Sequence, residues 1–405
     1  MYYLIPTMRL FWVLFFILIH GFLIGQNHSI FESKIFPKHF IDTIPINVEN
    51  DLVFLNVEVG GKPRKFLFDT GSPFSISTDI LAETHSTILD TVNLVDINQE
   101  KSKSFVIKTP IIKIGSIQIE NAIGAGTDVF KHGLLKCFEI EGILGSNVLQ
   151  NCVVTIDAKN KIMVISSSAP SIYDKQKYSC SFKIDHQGRP FISTKAITER
   201  DEVFLFDSGF TGLVKIDSSI LSSIKPKITK MNEGTGMRSI GANSEMTAIK
   251  KSVYEIESIN FGQLSIKKVQ VSYDPDNRNK SIGAELFRYG IVQVDFRKKK
   301  FQVFFDQLIQ SEDNSTDFGF DILMKENAFW VGMVMPGSSA EKLGIRSGMQ
   351  IVKINGHDVS QKTDDLDCLV FLKTIFEEQN YIELLTDDGR KIEVEITKLN
   401  HNKSS

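Results

Sequence analysis

The stretch KFLFDTGSPFS, Lys65–Ser75, decides how this 405-residue chain is read. An apolar strand runs into Asp69, Thr70 and Gly71, which alone are ordinary turn formers. Two carboxylates held close together can share one proton and divide the roles of acid and base, so the question is whether Asp69 has a partner. The partner is in the same chain. VFLFDSG, Val203–Gly209, repeats the stretch at an offset of 207 − 69 = 138. At that offset Asp51–Gly71 aligns without gaps on Arg189–Gly209, and Asp157 falls on Asp295. Ile143-Leu144-Gly145 falls on Ser281-Ile282-Gly283, so the Asp-to-Gly distance is 76 residues in both copies. A repeat of this kind outranks local motif guesses.

Each copy reads as β structure. Leu52–Val59 is strand-like, Gly60, Gly61 and Pro63 are expected to form a turn, and Phe66–Phe68 lead into Asp69. Val153–Ile156 and Ile162–Ile165 form a second expected hairpin, and Ser166–Ser171 is the crossing segment between copies. The expected fold class is mainly β: two related lobes forming an internal pseudo-dimer, then a small C-terminal unit. Expected domains are lobe 1 at 45–166, lobe 2 at 180–306 and the C-terminal unit at 317–398.

Composition narrows the function class. Net charge is −3, with 42% hydrophobic and 23% charged residues, as in ordinary packed domains, and gives no reason to expect nucleic acid as a partner. Arg9 precedes the apolar block LFWVLFFILIHGFLIG, Leu10–Gly25, which resembles a secretory signal over 1–25 and is shorter than a comfortable membrane span. Export to a periplasm, cell envelope or the medium is therefore expected, with membrane attachment only if that segment is retained. The four cysteines, Cys137, Cys152, Cys180 and Cys368, match no zinc spacing, and no HExxH occurs; no metal and no cofactor is expected. Cys137 and Cys152 could pair after export or remain buried thiols.

Two Asp-[Thr/Ser]-Gly copies, each with a later Gly element, resemble the aspartic peptidases of the retropepsin and pepsin type, over Val48–Phe305. The resemblance implies an endopeptidase with Asp69 and Asp207 as a catalytic dyad acting on a water molecule. Thr70 and Ser208 would bond across to the opposite lobe, and Gly71 and Gly209 would permit close approach. Ser72 would donate to the neighbouring carboxylate; its counterpart is Phe210, so Asp69 is expected to be ionised and Asp207 protonated. Ser281 departs from the apolar residue the pattern wants. Candidate lid tips are Val95–Lys101 and Gly234–Asn243.

After a polar linker, Met335-Pro336-Gly337-Ser338-Ser339-Ala340, Gly344-Ile345, Gly348 and Ile354-Asn355-Gly356 resemble a PDZ domain of the bacterial exported-protease kind. Gly348-Met349 departs from the usual Gly-Asp. Phe318, Gly319 and Phe320 stand where that family binds a peptide carboxylate, Asp364–Glu378 has helical spacing, and a last hairpin turns at Asp387-Asp388-Gly389. Expected partners are peptide or unfolded protein substrates and a C-terminal peptide at the PDZ; a monomer suffices for catalysis. The rival functions are a non-catalytic peptide-binding protein on a retained peptidase fold, and a scaffold using its PDZ alone.

Overall fold

The computed structural model describes residues 32–49, 51–95, 101–131, 138–171, 176–238, 247–273, 275, 279–305, 316–317, 319–325, 328–360, 381–395 and 397–398. The expected signal segment, Cys137, Cys368, Phe318, the expected helix 364–378 and the lid-tip residues 96–100 and 239–243 lie outside these. Among the described residues no helix is long and apolar enough to cross a membrane.

The architecture is mainly β, in several large sheets. The first copy contributes β1 (Ile41–Pro45), β2 (Leu52–Val59), β3 (Lys62–Asp69), β4 (Ser75–Ile76), α1 (Thr78–Glu83), β5 (Thr87–Val95), β6 (Lys101–Ile114), β7 (Ile117–Gly126), β8 (Gly142–Gly145), β9 (Val153–Asp157) and β10 (Ile162–Ser166). The second runs in the same order: β11 (Gln176–Ile184), β12 (Pro190–Thr194), β13 (Glu202–Asp207), β14 (Val214–Ile216), α2 (Ser218–Ile224), β15 (Ile228–Arg238), β16 (Thr247–Phe261), β17 (Leu264–Tyr273), β18 (Ser281–Gly283), β19 (Gly290–Asp295) and β20 (Lys300–Phe305). Each of these ten strands of the first copy has its counterpart ten places later; the short strands Lys34–Phe36 and Asn47–Glu49 are additional to the repeat.

Local sequence accounts for the hairpins. The β2–β3 turn is Gly60-Gly61 alone, at φ 64° and 77°, left-handed values that match the strands' twist and favour glycine. Pro63, expected in the turn, instead belongs to β3, opposite Glu58. Helices α1 and α2 begin at Ser77 and Asp217, whose side chains accept from backbone N–H groups of the first turn.

Two motifs repeat. In each copy the strand ending in Asp pairs in parallel with the later Gly element: Leu67 lies opposite Ile143 and Asp69 opposite Gly145, as Leu205 lies opposite Ser281 and Asp207 opposite Gly283. The copies then join through an antiparallel sheet of order β1-β10-β9-β19-β20-β11. At its centre Thr155 lies opposite Gln293, its own counterpart at offset 138, and the Gln293 amide donates to the Thr155 hydroxyl at 3.1 Å. A strand that pairs antiparallel with its own repeat in this register places a local two-fold axis at that pair.

One apolar core runs through both copies and includes Phe66, Phe68, Phe74, Phe204, Phe206 and Phe301. Beyond it β21 (Phe320–Lys325), β22 (Ala328–Val334), α3 (Ser339–Lys342), β23 (Gln350–Ile354), β24 (Tyr381–Thr386) and β25 (Lys391–Glu395) form the C-terminal unit, around Val331, Ile351, Ile382 and Val394. Its last hairpin turns at Gly389, φ 84°. The second copy's hairpin strand β15 pairs with β22, Thr235 opposite Val334 and Gly236 opposite Met333.

Phe301 is fully buried and its ring centre lies 4.8 Å from that of Phe206, beneath the second Asp-bearing strand. Phe301→Ala is expected to lower the unfolding free energy by about 3–5 kcal/mol in urea titrations.

Candidate active site

Asp69 and Asp207 end β3 and β13, and the turns that follow them meet on the local two-fold. The meeting is reciprocal. The Thr70 N–H donates to Ser208 Oγ at 3.0 Å, and the Ser208 N–H donates to Thr70 Oγ1 at 3.0 Å. Thr70 Oγ1 then donates to the Phe206 carbonyl at 2.6 Å, and Ser208 Oγ to the Phe68 carbonyl at 3.0 Å. Four buried backbone groups are thereby paired across the copies, each of which would otherwise cost on the order of 1–3 kcal/mol. Thr70 and Ser208 are fully buried.

Glycine is required next to each aspartate. A Cβ on Gly71 would stand 2.6 Å from Asp207 Oδ1, and one on Gly209 would stand 2.6 Å from the Asp69 carboxyl carbon. The Gly elements support the turns from below: a Cβ on Gly145 would reach 2.3 Å from the Pro73 carbonyl carbon, and one on Gly283 would reach 2.2 Å from the Gly212 carbonyl oxygen. Ser146 Oγ, just after Gly145, donates to the Gly188 carbonyl at 2.8 Å and lies 3.2 Å from the Thr70 carbonyl.

The two carboxyls are buried, 3% and 2% exposed, and hydrogen-bonded to each other. Burial pushes Asp69 up to about 6, against the pull of the Gly71 N–H, the Asp207 carboxyl, the Gly209 N–H and the Arg189 charge. Burial also raises Asp207, well above the ordinary range, and the charge of Asp69 raises it further; the Gly209 N–H and Lys215 pull the other way. Asp207 is therefore the proton-holding partner and Asp69 the ionised one near pH 7.

The donor expected for Asp69 is not the one found. Ser72 Oγ donates to the Pro73 carbonyl at 3.3 Å, not to Asp69. The turn after Asp69 sends this hydroxyl back along its own chain, and backbone N–H groups serve the carboxylate instead: the Gly71 N–H reaches Asp69 Oδ1 at 2.8 Å. Ser281 is buried without disturbing β18. Lys215, buried at 1% exposure, escaped the sequence reading because the offset of 138 aligns it on Ser77.

Among the described residues no group of His, Cys, Asp and Glu is arranged to hold a metal. Cys152 is a buried free thiol, pushed up to about 12 by burial. In the C-terminal unit Gly319 takes φ 80° and its carbonyl accepts from the Met335 N–H at 2.7 Å, while Phe320 opens β21.

No protein-family model and no curated protein matches the chain. Among solved structures it is similar to the crystal structure of basic 7S globulin from soybean, with TM-score 0.42 and 10% identity over 66% of this chain and 95% of that one. A likeness that weak carries no conclusion about fold or activity.

Two outcomes follow from the geometry. Gly209→Ala is expected to drive the carboxyls apart and, by removing the Asp207 hydrogen bond that holds Asp69 down, to raise the midpoint at which Asp69 takes up its proton, measured by pH-dependent chemical shifts of its carboxyl carbon. The second concerns stability. Both aspartates bind protons more readily folded than unfolded, so from about pH 4 to 6 the native state holds the extra protons and stability falls as pH rises. Asp207→Asn is expected to flatten that fall and to raise stability at pH 7, read from urea unfolding at several pH values.

Proposed function

We propose that the chain is an aspartic endopeptidase, with Asp69 and Asp207 as its dyad on a two-lobed, pepsin- or retropepsin-like fold. One arrangement carries the proposal: two buried, mutually hydrogen-bonded carboxyls, one from each copy of a repeat, on a local two-fold axis. Structural aspartates that merely cap turns have no need to face each other in an apolar core, where like charges are costly.

The chemistry follows from the unequal protons. Ionised Asp69 takes a proton from a water molecule as its oxygen attacks the peptide carbonyl carbon, and protonated Asp207 gives its proton to the carbonyl oxygen. The resulting gem-diol collapses by returning a proton from a diol hydroxyl to Asp207 while the proton on Asp69 passes to the leaving nitrogen. The C–N bond breaks, and the dyad ends with one proton as it began. Neither a covalent intermediate nor a cofactor enters these steps.

The C-terminal unit is proposed as a PDZ domain that binds or positions protein substrates. A peptide C-terminus would lie at the Phe318-Gly319-Phe320 turn and extend as a strand along β21. The same proposal includes export directed by residues 1–25, peptide or unfolded protein substrates, and catalysis by a monomer.

The test is turnover of an unbiased peptide mixture from pH 3 to 8 by the unaltered protein, Asp69→Asn and Asp207→Asn. Each substitution is expected to cut kcat/KM by at least a thousandfold, and the pH–rate profile to be bell-shaped with limbs at the two macroscopic pKa values of the pair. No cleavage by the unaltered protein at any pH would overturn the proposal in favour of a non-catalytic peptide-binding protein.

A further inference from the structure

The two copies share their strands, but the side chains packed around the dyad differ. In the first copy Ser75 of β4 lies opposite Ala125 of β7 and Ile143 of β8. Ile143 in turn lies opposite Leu67, two residues before Asp69. In the second copy Lys215 of β14 occupies the place of Ser75, opposite Ser272 of β17 and Ser281 of β18, and Ser281 lies opposite Leu205, two residues before Asp207. Small, apolar surroundings for a serine have become two hydroxyls around a lysine.

Residues opposite one another on paired strands project from the same face, and alternate residues of a strand return to it. Lys215, Ser272, Ser281, Leu205 and Asp207 therefore share one face of the sheet. Lys215 is 1% exposed, Ser272 2% and Ser281 0%. Neither serine hydroxyl has a hydrogen-bond partner among the described residues. An ammonium is far costlier to bury than a serine unless a counter-charge and polar neighbours compensate it. Asp207 supplies the charge, and the two serines stand where the first copy has Ala and Ile, adding polarity beside the lysine without a hydrogen bond to it.

We propose that Lys215, flanked by Ser272 and Ser281, is a positioning residue whose charge favours the ionised pair and so lowers the pH at which the two aspartates give up their shared proton. This rests on the proposal that the pair is a catalytic dyad. A strictly two-fold site would carry a cation on both sides or on neither; here one stands on the Asp207 side alone and eases loss of the proton there. The charge of Lys215 acts on Asp207 in this sense, against burial.

The other charged groups nearby are otherwise engaged or act on the other carboxyl. Arg189, before β12, acts on Asp69 and is held by Asp185 at 2.7 Å. Asp217, two residues beyond Lys215, caps α2 and lies 4.0 Å from Lys280, which is 2.7 Å from Glu202. Glu285, after β18, accepts from the Tyr289 hydroxyl at 3.2 Å.

The experiment compares the unaltered protein with Lys215→Met and with the triple substitution Lys215→Ser, Ser272→Ala and Ser281→Ile, which installs the first copy's own side chains. The dyad's upper midpoint is read twice, from the basic limb of the pH–rate profile and from the pH dependence of unfolding. Both variants are expected to raise it by about one pH unit, a tenfold change in the protonation ratio. A folded variant with an unmoved midpoint would overturn the proposal, as would an equal shift in the unfolding curve when Asp207 is already Asn. If neither variant folds, the ¹⁵Nζ resonance of Lys215 in the unaltered protein decides: it must move with the dyad's titration, and a constant resonance from pH 4 to 9 overturns the proposal. The unfolding and resonance measurements need no turnover. A protein that cleaves nothing but shows the shift loses the peptidase reading and keeps the Lys215–dyad coupling; one that cleaves without the shift loses the role of Lys215 alone.

Discussion

The reciprocal bonding of Thr70 and Ser208 is the constraint on which the rest of the site depends. Each side chain satisfies the other's backbone N–H and a carbonyl of the opposite strand, so the two turns can meet only in this register. Because all four groups are buried, packing the copies in any other register would leave them without a partner and without water. The carboxyls are brought together as a consequence: they follow directly on strands whose ends are locked to each other.

The second point on the axis, Thr155 opposite Gln293, makes the arrangement rigid. Two contacts on one line, with a continuous antiparallel sheet through one of them, leave the copies little freedom to rotate. Phe206 and Phe301 fill the space between the sheet and the dyad. In so apolar a setting a charge is expensive, and the aspartates respond by holding protons to unusually high pH. Packing and acid–base behaviour are therefore two results of one burial.

Exact symmetry would make the two carboxyls equivalent, and the departures from symmetry are where their surroundings differ. The clearest are Lys215, Ser272 and Ser281 in place of Ser75, Ala125 and Ile143. Seen alone, Ser281 is a flaw in an apolar pattern. Its place opposite Lys215 puts it next to the buried cation on this face of the sheet, although its hydroxyl makes no hydrogen bond among the described residues.

What the sequence determined by itself was the repeat: Asp69 with Asp207, Thr70 with Ser208, Gly71 with Gly209 and Gly145 with Gly283 are all legible at a constant offset. They are legible because each residue meets its own counterpart on the axis or supports the turn there, and substitution would break the contact. The alternating strands were legible for the ordinary reason that buried faces need apolar residues. Only the tertiary structure decided the rest. Between Asp207 and β14 the second copy has two more residues than the first, so the offset there is 140 and Lys215 answers to Ser75, not Ser77. The hydroxyl of Ser72 turns to Pro73 because a short loop, not a motif, sets its direction. Strand pairing brings together Lys215, Ser272 and Ser281 from three separate strands, and no spacing along the chain records which side chains face one another across a sheet.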